Sequence, residues 1–366
     1  MLTKQMYKST ALAIAASLVL AACGGGGGGG GGSGNNNAPP VSPIVPTSGA
    51  VAVQASVPAP TYGAATMQAS AFSTLNAYRL AMGVGEIAQD PILDNSATKH
   101  ALYLDSNLAN GNLIALSHNE VTTFANFYGD TPLSRAQLSG APATEWIGED
   151  IAAGLPQTSA AAYGSNCVNI YLDTVYHLQS VTSNQQTIGI GFQQNSGTYP
   201  NYSCVLDFGE TAGVSGAPQA NSLFTPGGQQ MSTTAIAHSP LVNEVNVPLA
   251  MIAEIVNPAP DIAAPGRPIM VRVNVANAGD VLTVSGFTLT AANGSVVAAR
   301  IIVPSAALTG SSSGVTADVN NGLAPGVAFL LPLATLTANT TYTASFSGAR
   351  DGTPISVTWN FTTAAS

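Results

Sequence analysis

The chain has 366 residues, enough for two ordinary domains, and its 46% of hydrophobic residues can supply a core for each. Only 7% of residues are charged, and nine Lys+Arg stand against eighteen Asp+Glu for a formal net charge of −9. So few cations can neither neutralise a phosphate backbone nor hold an anionic membrane surface, which excludes nucleic-acid binding through a basic groove and electrostatic attachment to lipid.

In chain order, residues 1–22 carry Lys4 and Lys8 and then an apolar run from Ala11 to Ala22. That run falls short of the roughly twenty residues of a membrane-spanning helix and has the form of a secretory signal peptide. It ends Leu20-Ala21-Ala22-Cys23, which resembles the bacterial lipoprotein processing box. The resemblance implies that Cys23 receives a diacylglycerol and becomes the mature N-terminus. The product would be an exported lipoprotein, held in a cell-envelope membrane by its N-terminal lipid and facing the periplasm or the surface. Gly24–Gly32, then Pro39, Pro40, Pro43 and Pro46, make residues 23–65 a lipid-anchored flexible linker that stiffens where the prolines collect. Beyond Cys23 the chain has two cysteines, Cys167 and Cys204, and in an exported protein the simplest reading is one disulfide. Free thiols or half of a metal site are the alternatives; the first is disfavoured by an oxidising compartment and the second by the lack of CxxC spacing.

Phe72, Leu75, Tyr78 and Met82 recur at helical intervals, and Gly83 is placed to end that helix. Asp90 starts a second helix with Pro91 in its first turn, burying Leu93, Ala97, Leu104 and Leu108. A third helical pattern runs through Val168, Tyr171, Leu172, Val175 and Leu178. Ile188, Ile190 and Phe192 alternate as one strand, and Tyr202, Cys204, Leu206 and Phe208 as another, across a turn with Gly197 and Pro200. Helices followed by a hairpin predict a mixed fold with an antiparallel sheet over residues 66–212.

Within that segment stand Leu75-Asn76-x-Tyr78-Arg79, Ala97-x-x-His100-Ala101, Ser117-His118-Asn119, Arg135, Gly148-Glu149-Asp150-Ile151, Tyr171-Leu172-x-Thr174-x-x-His177, Ile188-Gly189-Ile190-Gly191 and Asp207-Phe208-Gly209. Their order and spacing resemble the CAP superfamily of cysteine-rich secretory proteins, antigen 5 and pathogenesis-related proteins (the SCP-like domain). The resemblance implies an α/β fold, an α/β/α sandwich, with a cleft formed by two histidines and two acids. Residue by residue it places His118, Glu149 and His177 in that ligand cleft. The fourth position does not carry over: Thr174 stands where the family often has Glu, and Asp173 is turned about 100° away on a helix.

Two neutral imidazoles and a carboxylate are a normal donor set for zinc, so His118, Glu149 and His177 are candidate metal ligands. An acid–base arrangement and a purely hydrogen-bonded polar network remain open alternatives. His100 follows Leu93 and Ala97 on an apolar face and reads as a packing histidine. Arg135 reads as an ion pair or as an anion contact at the cleft rim. Trp146 reads as core and Glu120 as solvated.

Residues 213–240, with Gly227-Gly228-Gln229-Gln230, read as a linker, and His238 as a linker histidine. From 241 to 366 the helical period disappears. Ile269, Val271 and Val273 alternate; Val281, Val284 and Phe287 follow; Asn293-Gly294 signals a hairpin. Tyr342, Ala344 and Phe346, then Ile355, Val357, Trp359 and Phe361, flank Asp351-Gly352. The pattern predicts an all-β sandwich and resembles bacterial immunoglobulin-like surface modules, implying a spacer or partner-binding role. The leading expectation for the whole chain is recognition of a lipid, sterol or other small ligand, with no nucleic acid. A metal-assisted hydrolase and an adhesive surface protein are its rivals.

Overall fold

The computed structural model of the chain describes residues 53–214, 216–222, 230–275 and 280–366; the expected signal peptide, Cys23 and most of the expected tether lie outside them. Helix α1, Met67–Met82, begins where the Thr66 hydroxyl accepts from Ala69 N and ends at Gly83, whose φ of 81° is the left-handed conformation that glycine adopts without strain. Strand β1 is Ala88–Gln89. Helix α2, Pro91–Ala109, is capped by the Asp90 carboxylate, with proline at its start as the sequence indicated.

Helix α3, Pro132–Ser139, has a reciprocal cap between Thr131 and Ser134 and was not predicted: with eight residues it is too short to show a period. Strand β2 is Trp146–Gly154, buried at every position. The third helical pattern is two helices, α4 over Ala160–Leu172 and α5 over Tyr176–Val181. The chain breaks between them because Asp173 pairs with Arg267 at 2.8 Å and the Thr174 hydroxyl donates back to the Tyr171 carbonyl at 2.8 Å. Strands β3, Thr187–Gln194, and β4, Tyr202–Glu210, follow.

These strands form a sheet in the order β1-β3-β4-β2, which leaves β2 at an edge. Ile188, Ile190 and Phe192 of β3 face the core shared with α1, α4 and α5. Gly189 and Gly191 face α2, and a Cβ at either would lie 2.0 Å from the Leu93 carbonyl carbon or 2.1 Å from that of Ala97. Only glycine lets α2 lie so close to the strand backbone. Cys167 and Cys204 form the disulfide, tying α4 to β4 with their Cα atoms 6.2 Å apart.

The C-terminal unit contains β5 (Ile236–Ser239), β6 (Glu244–Val247), β7 (Ile269–Val273), β8 (Leu282–Ala291), β9 (Ala299–Val303), β10 (Val315–Ala317), β11 (Val327–Pro332), β12 (Thr341–Arg350) and β13 (Thr353–Thr363). They build a five-stranded sheet, β10-β9-β11-β7-β5, and a four-stranded sheet, β6-β13-β12-β8. Val271, Phe287, Leu289, Phe346, Trp359 and Phe361 fill the space between them. The β12–β13 hairpin turns at Asp351-Gly352. Asn293-Gly294 makes only a single bridge, Thr290 to Val296, before the chain crosses to the other sheet, where β9 pairs with β11.

The stretch expected to be a linker contains β5, an edge strand paired with β7. His238 therefore sits in a sheet, stacked on Trp359 with ring centroids 4.2 Å apart, and is not a linker histidine. Strand β7 is buried at every position, and so is β11. Met270, Ile302, Phe329 and Leu331 belong to the same apolar cluster as the helices of the N-terminal unit, so the five-stranded sheet is covered on both faces. The protein is thus a mixed helix-and-sheet fold whose two units share a core. Among the described residues no helix is long and apolar enough to cross a membrane.

Candidate functional site

Successive side chains of a strand point to opposite faces, so adjacent Glu149 and Asp150 of β2 serve two different environments. Glu149 is in register with Asp207 of β4, which is in register with Gly189 of β3, and this row faces α2. Ile151 and Ala153, on the same face as Glu149, pack with Ala97, Ala101 and Leu104 of α2.

On that face His118 Nδ1 donates to Glu149 Oε1 at 2.8 Å, and Arg135 Nη2 donates to Glu149 Oε2 at 2.6 Å. Burial alone would raise the Glu149 carboxyl, but Arg135, His100 and His118 together hold it well below the usual carboxylate range. Asp207 moves the opposite way: burial and then the charge of Glu149 push it well above the range of a carboxylic acid.

His100 is fully buried, its Nδ1 2.9 Å from Glu120 Oε1 and its Nε2 3.0 Å from the Ser117 carbonyl. Burial, with Arg135 adding to it, lowers its pKa against the pull of Glu149 and Glu120. The packing reading of His100 therefore stands, with hydrogen-bond partners on both ring nitrogens. Glu120 is not solvated. The residue is 5% exposed with its side chain fully buried, and its carboxylate accepts from Tyr128 N at 2.6 Å and Gly129 N at 3.3 Å. Residues 120–130 curl around that acid, a loop closure that local polarity does not reveal. Arg135 is an internal ion pair, fully buried, that also donates to the Gly129 carbonyl at 3.1 Å. Trp146 is core at 2% exposure.

On the opposite face, Ala152 joins the cluster that includes α4 and α5. Here His177 Nδ1 donates to Glu254 Oε1 at 2.8 Å, and its ring stacks on Tyr171 with centroids 5.5 Å apart. Glu254 lies between β6 and β7, in the C-terminal unit. Asp150 belongs to this opposite face: burial pushes it up to about 7, while His177, Ser180 and His118 oppose the shift and Glu254 adds to it.

The structure thus brings His118 and Glu149 into contact and sets His177 against a different acid. The Thr174 hydroxyl is turned to its own helix, and Asp173 to Arg267. For zinc the donor set does not fit. Both oxygens of Glu149 are bound by Arg135 and His118, and a cation there would have to displace a buried guanidinium. Among the described residues no group of three or more His, Cys, Asp or Glu is arranged to hold a metal ion.

His118 is the most accessible of the expected trio at 7%, against 4% for Glu149 and none for His177. Sequence reasoning gave no role to Asp150, Asp207 or Glu254. Two adjacent acids in one strand were a usable signal for Asp150, since one must point to each face. Nothing in the spacing marks Glu254. No protein-family model matches the chain, and no curated protein matches it.

Proposed function

We propose that the chain is an exported, lipid-anchored protein in which a CAP-like α/β/α unit, backed by an immunoglobulin-like sandwich, binds a lipid, sterol or other small ligand beside His118 and Glu149. One observation carries the reading. In a chain with only 7% charged residues, His100, His118, Glu120, Arg135 and Glu149 lie in one connected, buried network. Buried charge costs stability compared with a hydrophobic core of the same volume, and such clusters concentrate at functional sites.

Glu149 accepts from His118 Nδ1, which fixes the orientation of the ring. An imidazole oriented this way suits a ligand that presents a hydroxyl or an undissociated acid. Charge scarcity on the rest of the chain agrees with a neutral, largely apolar ligand.

The test is titration of the purified soluble portion with a fluorescent fatty acid and a fluorescent sterol. Saturable binding of at least one is expected, weakened about tenfold in His118→Ala, a loss of about 1.4 kcal/mol, with the thermal midpoint retained. Absence of saturable binding by the wild type, or equal binding by the variant, overturns the site. Attachment is tested separately: Cys23→Ser is expected to move the protein from the detergent phase to the soluble fraction, and an unchanged membrane fraction overturns the lipid anchor.

A further inference from the structure

The N-cap residue of α5, Val175, makes no side-chain cap, and the neighbouring Thr174 hydroxyl accepts from Leu178 N at 3.3 Å. The amides at its start are satisfied by one carboxylate from the other unit. Glu254 Oε2 accepts from Val175 N at 2.9 Å, and Oε1 accepts from Tyr176 N at 3.0 Å, His177 N at 3.3 Å and His177 Nδ1 at 2.8 Å. The residue is 4% exposed.

The rest of the helix is held from the same side. Tyr176 donates its hydroxyl to Asp318. The Gln179 side chain bridges the Gly322 carbonyl at 3.0 Å and Ala324 N at 2.6 Å. Arg272 Nη1 donates to the Thr182 carbonyl at 2.7 Å. Just before the helix, Ile252 N donates to the Asp173 carbonyl at 2.9 Å and Arg267 pairs with the Asp173 carboxylate. The C-terminal unit therefore supplies partners along the whole length of the element that carries His177, and the N-terminal unit has at position 174 only a hydroxyl that is turned inward.

We infer that Glu254 is a positioning residue for His177: it holds that ring as the Nδ1–H tautomer, so that the C-terminal unit acts on the proposed site beside His118 and Glu149. An ionised carboxylate can only accept, so the ring nitrogen facing it must carry the proton. The same contact sets the ring's rotation, as outer partners do for the histidines of metal sites. A helix cap alone needs only the backbone amides; engagement of the ring by the same oxygen is what a purely structural cap would not require. The assignment rests on the proposed reading that a ligand binds beside His118 and Glu149, next in the strand to Asp150, on which both histidines act, and the experiment separates the two.

The protein labelled with 15N-histidine is examined by long-range 1H–15N correlation at neutral pH, which reads the tautomer of each ring. Wild-type His177 is expected as Nδ1–H; a Nε2–H or doubly protonated ring overturns the inference without any variant, so it remains falsifiable if a variant fails to fold. In Glu254→Ala, His177 is expected to become a tautomer mixture, while His118, held by Glu149, keeps Nδ1–H. An unchanged His177 spectrum overturns the role of Glu254. Titration with the fluorescent fatty acid is expected to weaken about tenfold in the same variant. A changed tautomer with unchanged affinity overturns the positioning role and leaves the ligand reading intact. Nδ1–H at His177 in a wild type that binds no probe supports the tautomer assignment and overturns the ligand reading.

Discussion

The two faces of strand β2 solve one problem by different routes. Toward α2, the charged groups all come from a single stretch of chain: His100, His118, Glu120, Arg135 and Glu149 neutralise one another within the N-terminal unit. Toward α5, His177 and Tyr176 find their partners in the other unit, His177 in Glu254 77 residues away and Tyr176 in Asp318 142 residues away. The first cluster can form as its own unit folds. The second exists only once the two units have docked, so its integrity reports on their docking. The sandwich shares its core with the helices and supplies the acid that holds His177.

The comparison can be broken hardest at Arg135. Arg135→Ala leaves Glu149 buried beside Asp207 with its cation gone, and a loss of about 3–5 kcal/mol is expected in urea unfolding. A loss below 1 kcal/mol would show that the local network is not the charge-balanced unit described. The double replacement Cys167→Ser with Cys204→Ser opens a loop of 37 residues inside the N-terminal unit and is expected to cost about 3–4 kcal/mol by the same measurement. Both changes act on the N-terminal unit.

The docking side is probed by Tyr176→Phe, which removes the donor shared with Asp318 while that acid keeps Gly322 N at 2.6 Å. About 1.5–3 kcal/mol is expected, together with faster hydrogen exchange across α5 and unchanged exchange in α2. Equal changes in both helices would mean that the two faces are not separable.

The gentlest test is pH, applied to two carboxylates of the same sheet. Glu149 has cations beside it and its pKa is lowered, so its contribution to stability is present above the unfolded value and fades as pH falls below it. Glu210 is fully buried; burial, helped by Glu145, pushes it from 4.5 up to about 9 against the Ala212 amide and Arg79. Its folded form binds the proton more tightly than the unfolded chain, so its contribution is complete below the unfolded value and is lost as pH rises toward 9. Glu210→Gln is expected to flatten the stability profile over that window by about 1.4 kcal/mol per pH unit. A slope identical to wild type would place Glu210 in a solvated setting.

The helix starts and stops were legible where a single residue type has one physical use. Gly83 ends α1 in the left-handed region, and Asp90-Pro91 opens α2 with an acceptor and a preset φ. The β12–β13 hairpin was legible for the same reason, with period-two apolar runs on both sides of Asp351-Gly352. Strand β2 was not, because a strand covered on both faces shows no alternation. Helices α4 and α5 read as one because the apolar period continues through Asp173 and Thr174, and the break depends on Arg267.

At the site, the sequence by itself determined the identities of His118, Glu149 and the Cys167–Cys204 pair as groups of interest, through motif order and through a count of cysteines in a chain whose first residues read as an export signal. Only the tertiary structure decided that Glu149 is bound by Arg135, that Glu120 is buried, and that His177 takes its acid from Glu254. The physical reason is range. Caps, turns and periodicity are set by neighbours along the chain, whereas the protonation and orientation of a buried side chain are set by whatever charge lies within a few ångströms, and for His177 that charge arrives from the far side of a unit boundary.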